Sequence, residues 1–326
     1  MSTGALDIKR FDPLLHNLDL PLSGTYYPVG FRLDIATNSR DVLEAAAEAW
    51  GSFLPEYDAA PINLRISVQD GGDLAPEAVY RTQGGLFSIV SDRDNLACFD
   101  PRSMFGFCHL SAKTAADHAW FRWHFLEGIV YMMLAQERVT PVHAAGVERN
   151  GSGVLLCGNS GAGKSTLAYA CARAGWTYIG DDSIMLLSNS DDRIGIGKPH
   201  QVRFCDDAPE LFPELLPYTT RARPNGKIAM EVPTADFPQI RTAARCRIDA
   251  VVFLERRPGR AHVERIAQSE VLDGLLQEGP SYGEEVFARH RRAVRRLAGM
   301  PAYRMRYDTL DEAVSLLAKL TCGEPQ

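Results

Sequence analysis

Gly158-Asn159-Ser160-Gly161-Ala162-Gly163-Lys164-Ser165-Thr166 is the stretch on which the fold turns. It has the form G-x-x-x-x-G-K-[ST], and its flanks supply the context that form requires. Residues 154–157 (Val, Leu, Leu, Cys) are an apolar run, which predicts a buried strand ending at the first glycine. Residues 167–174 then continue as a helix, with Gly175 placed to cap its end. Glycines let backbone N–H groups turn toward an anion, and the helix N-terminus adds a positive dipole. The expectation is a loop, residues 158–166, that cradles the phosphates of ATP. Lys164 would reach the β- and γ-phosphates, and the Ser165 hydroxyl would ligate Mg²⁺. The loop does not make a G-x-S-x-G nucleophile elbow, because Ala162 stands at the last glycine position.

Directly after that helix comes Trp176-Thr177-Tyr178-Ile179-Gly180-Asp181-Asp182, an aromatic and β-branched strand ending in two carboxylates. Acids at the C-terminal end of a strand beside a phosphate loop sit where an ion and a nucleophile must meet. One carboxylate can hold Mg²⁺, which takes few protein ligands and keeps its waters. The other can accept the proton of an attacking hydroxyl. Adjacent carboxylates repel, so one of the two is expected to titrate above the usual range.

Together with Val142-His143-Ala144-Ala145-Gly146-Val147 before the loop and Arg173-Ala174-Gly175-Trp176 after it, this pattern resembles the catalytic domain of HPr kinase/phosphorylase. It is more similar still to the HPr-kinase-related bacterial proteins. The likeness is strong from about residue 142 to 187 and weaker through residues 251–254 and 303–317. It implies an α/β fold, a phosphoenolpyruvate-carboxykinase-like mixed sheet built around the P-loop. It also implies a serine kinase using ATP and Mg²⁺, with Asp181 as general base and Asp182 and Ser165 on the metal. His143 would lie near the phosphates as a charge partner or an orienting donor. The chain departs from HPr kinases proper at Thr166, where they usually carry an acid, and at Asn159, where they carry an aspartate. Their Arg-Gly-rich signature loop is absent. These departures argue against phosphorolysis and against HPr as acceptor. The acceptor implied is another protein or a peptide, including the precursor of a ribosomally made natural product; the alternatives are a kinase of a small hydroxylated metabolite and a nucleotide-gated scaffold that binds ATP and seldom transfers it. HPr kinases are hexameric, so assembly into a homo-oligomer is open.

Phosphoryl transfer also needs positive charge around the equatorial oxygens. Lys198 and Arg203 lie in Gly197-Lys198-Pro199-His200-Gln201-Val202-Arg203, and Arg223 and Lys227 flank a Pro-Asn-Gly turn. Lys227 is preferred, because Gly226 lets its backbone approach a ligand closely.

The remaining chain frames this core. With 326 residues there is ample length for a buried core, and the net charge of −6 argues against nucleic-acid binding. The seven cysteines show no C-x-x-C or Cys/His cluster and read as free thiols in a reducing compartment. The opening residues lack a signal-peptide pattern and no apolar run nears membrane-spanning length, so a cytoplasmic protein is expected. Residues 1–114 read as a smaller α+β module: strands at 31–35, 62–68 and 86–91, a helix at 41–50, and a turn at 92–95 leading to a strand at 96–99. The kinase-like domain would span 115–326, opening with an apolar bridging helix at 115–136 that packs on both sides. Further strands are expected at 184–187 and 247–254. A basic helix at 284–297 would align Arg289, Arg292 and Arg296 on one face.

Overall fold

The computed structural model describes residues 18–222, 228–276 and 283–322. The chain divides into two compact units, Met1–Leu134 and Ala135–Gln326. The division therefore comes later than the expected 114/115, and most of the segment 115–136 belongs to the first unit. Its polar anchors explain this. Trp50 Nε1 donates to the Tyr131 hydroxyl at 3.0 Å, and the Tyr80 hydroxyl donates to the His124 carbonyl at 3.1 Å.

The first unit holds β1 (Leu22–Tyr26), β2 (Phe31–Thr37), α1 (Arg40–Trp50), β3 (Tyr57–Gln69), β4 (Val79–Gln83), β5 (Leu86–Val90), β6 (Leu96–Asp100) and β7 (Phe105–Ser111). They form one sheet in the order β1-β2-β3-β7-β6-β5-β4. The pairs β2/β3 and β3/β7 are parallel and the others antiparallel. The turn between β5 and β6 is held by Asp92, whose carboxylate accepts from the Asp94 N–H at 2.8 Å and the Asn95 amide at 3.0 Å. The single helix expected at 115–136 is broken. Ser111 caps α2 (Ala112–Ala116), and Asp117 caps α3 (His118–Phe121) by accepting from the Trp120 N–H at 3.1 Å. A π-turn over Arg122–Leu126 then leads into α4 (Glu127–Glu137). Most of this segment's apolar side chains are nevertheless buried: Phe121, Phe125, Ile129 and Val130 are fully enclosed, while Trp120, Trp123 and Met132 are half-buried.

The second unit is built on β8 (Val139–Val142), β9 (Ala145–Arg149), β10 (Ser152–Cys157), α5 (Lys164–Arg173), β11 (Thr177–Gly180), β12 (Ile184–Leu187), β13 (Ile194–Ile196), β14 (Gln201–Phe204), α6 (Ala208–Leu211), β15 (Arg221–Ala222) and β16 (Ile228–Pro233). It continues with β17 (Arg241–Thr242), β18 (Arg245–Arg256), β19 (His262–Arg265), α7 (Gln268–Leu276), α8 (Glu284–Ala298), β20 (Ala302–Tyr307) and α9 (Leu310–Cys322). The main sheet runs β17-β11-β9-β10-β18-β13-β12-β8, with β20 also on β18 and β19 on β20. Its centre is parallel: β10 pairs with β18, and β18 with β20. β9 is antiparallel to both β10 and β11, so β11 points the same way as β10. The result is a mixed α/β architecture.

β10 shows why the sheet is layered. Val154 and Leu156 enter one core with Leu167 and Tyr169 of α5 and Ala313 and Leu317 of α9. Leu155 and Cys157 enter the other, with Val271 and Leu275 of α7 and Val294 and Leu297 of α8. Alternate side chains of a strand point to opposite faces, so an unbroken apolar run is what a strand covered on both sides requires. Each fully buried leucine contributes on the order of 2 kcal/mol. On α8 the three expected arginines do not share an open face. Arg289 donates to the Gln136 carbonyl and Arg296 to the Leu187 carbonyl at 2.5 Å, while Arg292 is exposed. Long side chains with apolar stems fold back where orphan carbonyls are near, which helical spacing alone does not reveal.

One close approach positions the acids. A Cβ on Gly197 would lie 2.1 Å from the Ile179 carbonyl oxygen, and one on Gly180 would lie 2.7 Å from the Lys198 nitrogen. The end of β11 thus packs backbone to backbone on residues 197–198, and the chain beyond them reaches β14 beside Asp181. Gly197→Ala should cost about 2 kcal/mol through this overlap, read as a lower urea midpoint. An unchanged midpoint would show that the backbone moves apart freely.

Candidate functional site

The loop after β10 is shaped by three glycines with left-handed or related backbone: Gly158 (φ 141°), Gly161 (φ 85°) and Gly163 (φ 88°). An L side chain is strained at such angles. Asn159, Ser160 and Gly161 are exposed, and no side chain caps the first turn of α5. A solvent-facing glycine loop at a helix start is the kind of arrangement that can receive an anion. Lys164 is buried to 7 % exposure and folds back over the loop, its Nζ donating to the Gly158 carbonyl at 2.5 Å and the Asn159 carbonyl at 3.2 Å. The carbonyl oxygens occupy the ammonium group's donors where phosphate oxygens would be equally suited.

Sequence reasoning missed one support of the loop. The Tyr307 hydroxyl, at the end of β20, donates to the Ala162 carbonyl at 3.2 Å. The same oxygen lies 2.7 Å from where a Cβ on Gly163 would stand. Burial pushes the Tyr307 hydroxyl up to about 12, so it keeps its proton and remains a donor. The weak likeness at residues 303–317 was the available signal, but nothing local marks a tyrosine as a partner of a loop 145 residues away.

The two acids at the end of β11 differ in environment. Asp181 is 4 % exposed, and its Oδ2 accepts from the Arg203 N–H at 3.0 Å. Asp182 has a left-handed backbone (φ 63°), and its side chain is 33 % exposed. Its Oδ2 accepts from Arg203 Nη1 at 3.1 Å, while Arg203 Nε binds Glu231 at 3.1 Å. His143, in the turn between β8 and β9, lies across from it. Its Nδ1 is 2.9 Å from the Asp182 carbonyl oxygen and 3.7 Å from Asp182 Oδ1. A carbonyl only accepts, so the proton of that bond sits on Nδ1.

The structure thus brings Lys164, Ser165, Asp181, Asp182 and His143 to the same end of the sheet. It also assigns Arg203 differently from the sequence reading: its guanidinium bridges Asp182 and Glu231 rather than pointing at the loop. Lys198 is buried beside the end of β11. Arg223 and the preferred cation Lys227 lie outside the described residues. The oxygen donors Ser165, Asp181 and Asp182 are the type a Mg²⁺ site requires, and their clustering next to the cradle fits that ion. Among the described residues, Asp41, Glu44 and His118 of the first unit also bring ligand-type atoms within 4.8 Å of one another. There His118 Nδ1 is already engaged by Glu48 at 2.6 Å, which is ion pairing between helices.

Burial, then the Asp182 charge, holds the Asp181 carboxyl above its ordinary value, against the opposing pull of Arg203 and Ser165. A carboxyl with a higher pKa folded than unfolded binds its proton better in the native state. Its charging therefore lowers stability as pH rises from about 3.8 through the folded value. Asp181→Asn removes that charge, so the ligand-free variant should melt higher than wild type at neutral pH, by roughly 2 °C or more. The difference should shrink on acidification. A variant that melts lower at neutral pH would show that the Arg203 N–H bond and neighbouring positive charge outweigh desolvation.

Three further facts come from comparison with known proteins. Residues 107–194, which include His143, the glycine loop and both acids, match the family model described as SynChlorMet cassette protein ScmC. Among solved structures the chain is similar to the HPr(Ser) kinase/phosphatase from Coxiella burnetii, at 14 % identity and a TM-score of 0.30, over 56 % of this chain and 99 % of that one. No curated protein matches. Among the described residues no helix is long and apolar enough to cross a membrane, and Cys98, Cys108, Cys157, Cys171, Cys205 and Cys246 are free thiols.

Proposed function

We propose that this protein is an ATP- and Mg²⁺-dependent kinase that transfers the γ-phosphoryl group to a hydroxyl of a protein or peptide, with serine as the acceptor residue. The observation that carries this reading is the conjunction at one end of the sheet: an exposed glycine loop, a lysine folded onto that loop's own carbonyls, and a buried aspartate held by the Arg203 N–H beside its partner Asp182.

Each residue then has a task that follows from its surroundings. Backbone N–H groups of residues 159–165 bind the phosphate oxygens, and Lys164 exchanges its two carbonyl partners for β- and γ-oxygens. Ser165 and Asp182 would hold Mg²⁺, which supplies charge neutralisation on the β- and γ-oxygens. Ser165 in that role leaves Asp181 to take the proton of the acceptor hydroxyl. Its raised pKa brings it closer to the acceptor's task than an exposed carboxylate would be. His143 and Arg203 grip Asp182 from either side and orient it. The reacting groups are aligned by the fixed end of β11.

The test uses γ-labelled ATP with Mg²⁺ and host extract, comparing wild type with Asp181→Asn and Asp182→Asn. Label entering protein or peptide with wild type alone supports the kinase, and Asp181→Asn should lose at least about a hundredfold in turnover at saturating Mg²⁺. Asp182→Asn should instead raise the Mg²⁺ concentration needed. The opposite pattern would exchange the two roles. Label only in small molecules would redefine the acceptor class. Tight ATP binding with no transfer to any acceptor would sink the kinase reading and leave a nucleotide-gated scaffold.

A further inference from the structure

Strand order gives the site a direction. β10, β11, β18 and β20 all run the same way, so their C-terminal ends meet at the loop. The acids lie at the end of β11, two strands from β10 across β9, a lateral step of about 10 Å. On the opposite flank of the loop stand β18 and β20. Contact there is direct: a Cβ on Gly158 would be 3.3 Å from the Leu254 carbonyl oxygen, and Tyr307 holds Ala162. A nucleotide whose γ-phosphate faces the acids can run away from β11, over the tips of β18 and β20.

Arg256 waits on that flank. It is the last residue of β18 and pairs in register with Tyr307, so its side chain leaves the sheet on the face from which Tyr307 reaches the loop. The pairing puts Arg256 at the same sheet end as Tyr307, whose hydroxyl holds the loop. The residue is exposed, and no hydrogen bond or ion pair engages its guanidinium among the described residues. The arginines of β20 are committed elsewhere: Arg306 donates to Glu255 at 2.9 Å, and Arg304 to Glu264 and Glu270 at 2.8 Å each. A guanidinium is planar and weakly hydrated and stacks on aromatic faces, which suits a purine better than it suits open solvent.

We propose that Arg256, at the tip of β18 beside Tyr307, forms the nucleoside subsite of this protein and holds the base of the nucleotide by stacking. The assignment rests on the reading of the loop as an ATP site. It differs from a phosphate contact in what it should and should not affect.

Calorimetric titrations of the full-length protein with ATP and with inorganic tripolyphosphate, both with Mg²⁺, separate the two ends. Arg256→Ala should weaken ATP about tenfold and leave tripolyphosphate unchanged. Arg256→Lys keeps the charge but loses the plane, and should be weakened almost as much. Arg256 is exposed, so both variants should melt with wild type, and their thermal transitions are compared first. Equal weakening of ATP and tripolyphosphate, or full rescue by lysine, would place Arg256 on the phosphates and overturn the assignment. No change for either ligand would overturn it as well. A wild type that binds neither ATP nor tripolyphosphate would instead remove the nucleotide reading on which the assignment stands.

Discussion

The burial of β10 on both faces is the constraint from which the rest of the second unit follows. A strand whose alternate residues enter two separate cores cannot slip by one position, because every side chain would exchange faces. Its last residue, Cys157, is therefore fixed, and the glycine loop begins from a rigid point. Helix α5 is fixed equally firmly by Leu167 and Tyr169, both fully enclosed. The flexible residues of the loop span two immobile ends. Three glycines at positive φ turn it back on itself, and Tyr307 ties its middle to β20. The cradle is thus preformed rather than assembled on binding, which spares a ligand the cost of ordering it.

The acids are placed by a second constraint that works against stability. Gly180 and Gly197 bring two backbones closer than any side chain allows, and this seats Asp181 under the Arg203 N–H. A carboxylate held there loses most of its water and gains only part of it back from Ser165 and Arg203. The left-handed backbone at Asp182 is a further local expense. Both features sit where the chemistry would be, and the buried sheet carries them without loss of fold. Burial of that kind raises a carboxyl's affinity for a proton.

Much of this was legible in the chain. The apolar run of residues 154–157, the glycine spacing, Gly175 and the terminal acids each obey a local rule, and strand, loop, helix and strand appear where those rules put them. The strand over 247–254 and the helix over 284–297 were legible for the same reason. What escaped was set by distance. The pull of Tyr307 on the loop, the approach of Gly197 to Ile179, and the capture of Asp182 by Arg203 join residues whose spacing follows no helical or strand period. The helix expected at 115–136 failed for a local reason: Asp117 caps a new start by accepting from the Trp120 N–H, an interaction that apolar periodicity ignores. The arginines of α8 escaped because a long side chain has a choice of partners, and buried carbonyls won over solvent.

A crystal structure with Mg²⁺ and a non-hydrolysable ATP analogue tests the central claim most directly. The account requires Lys164 Nζ to leave the carbonyls of Gly158 and Asn159 for the β- and γ-oxygens, with the ion on Ser165 and the γ-phosphate turned toward Asp181. An analogue bound away from the loop, or bound with Lys164 still on its own carbonyls, would contradict it.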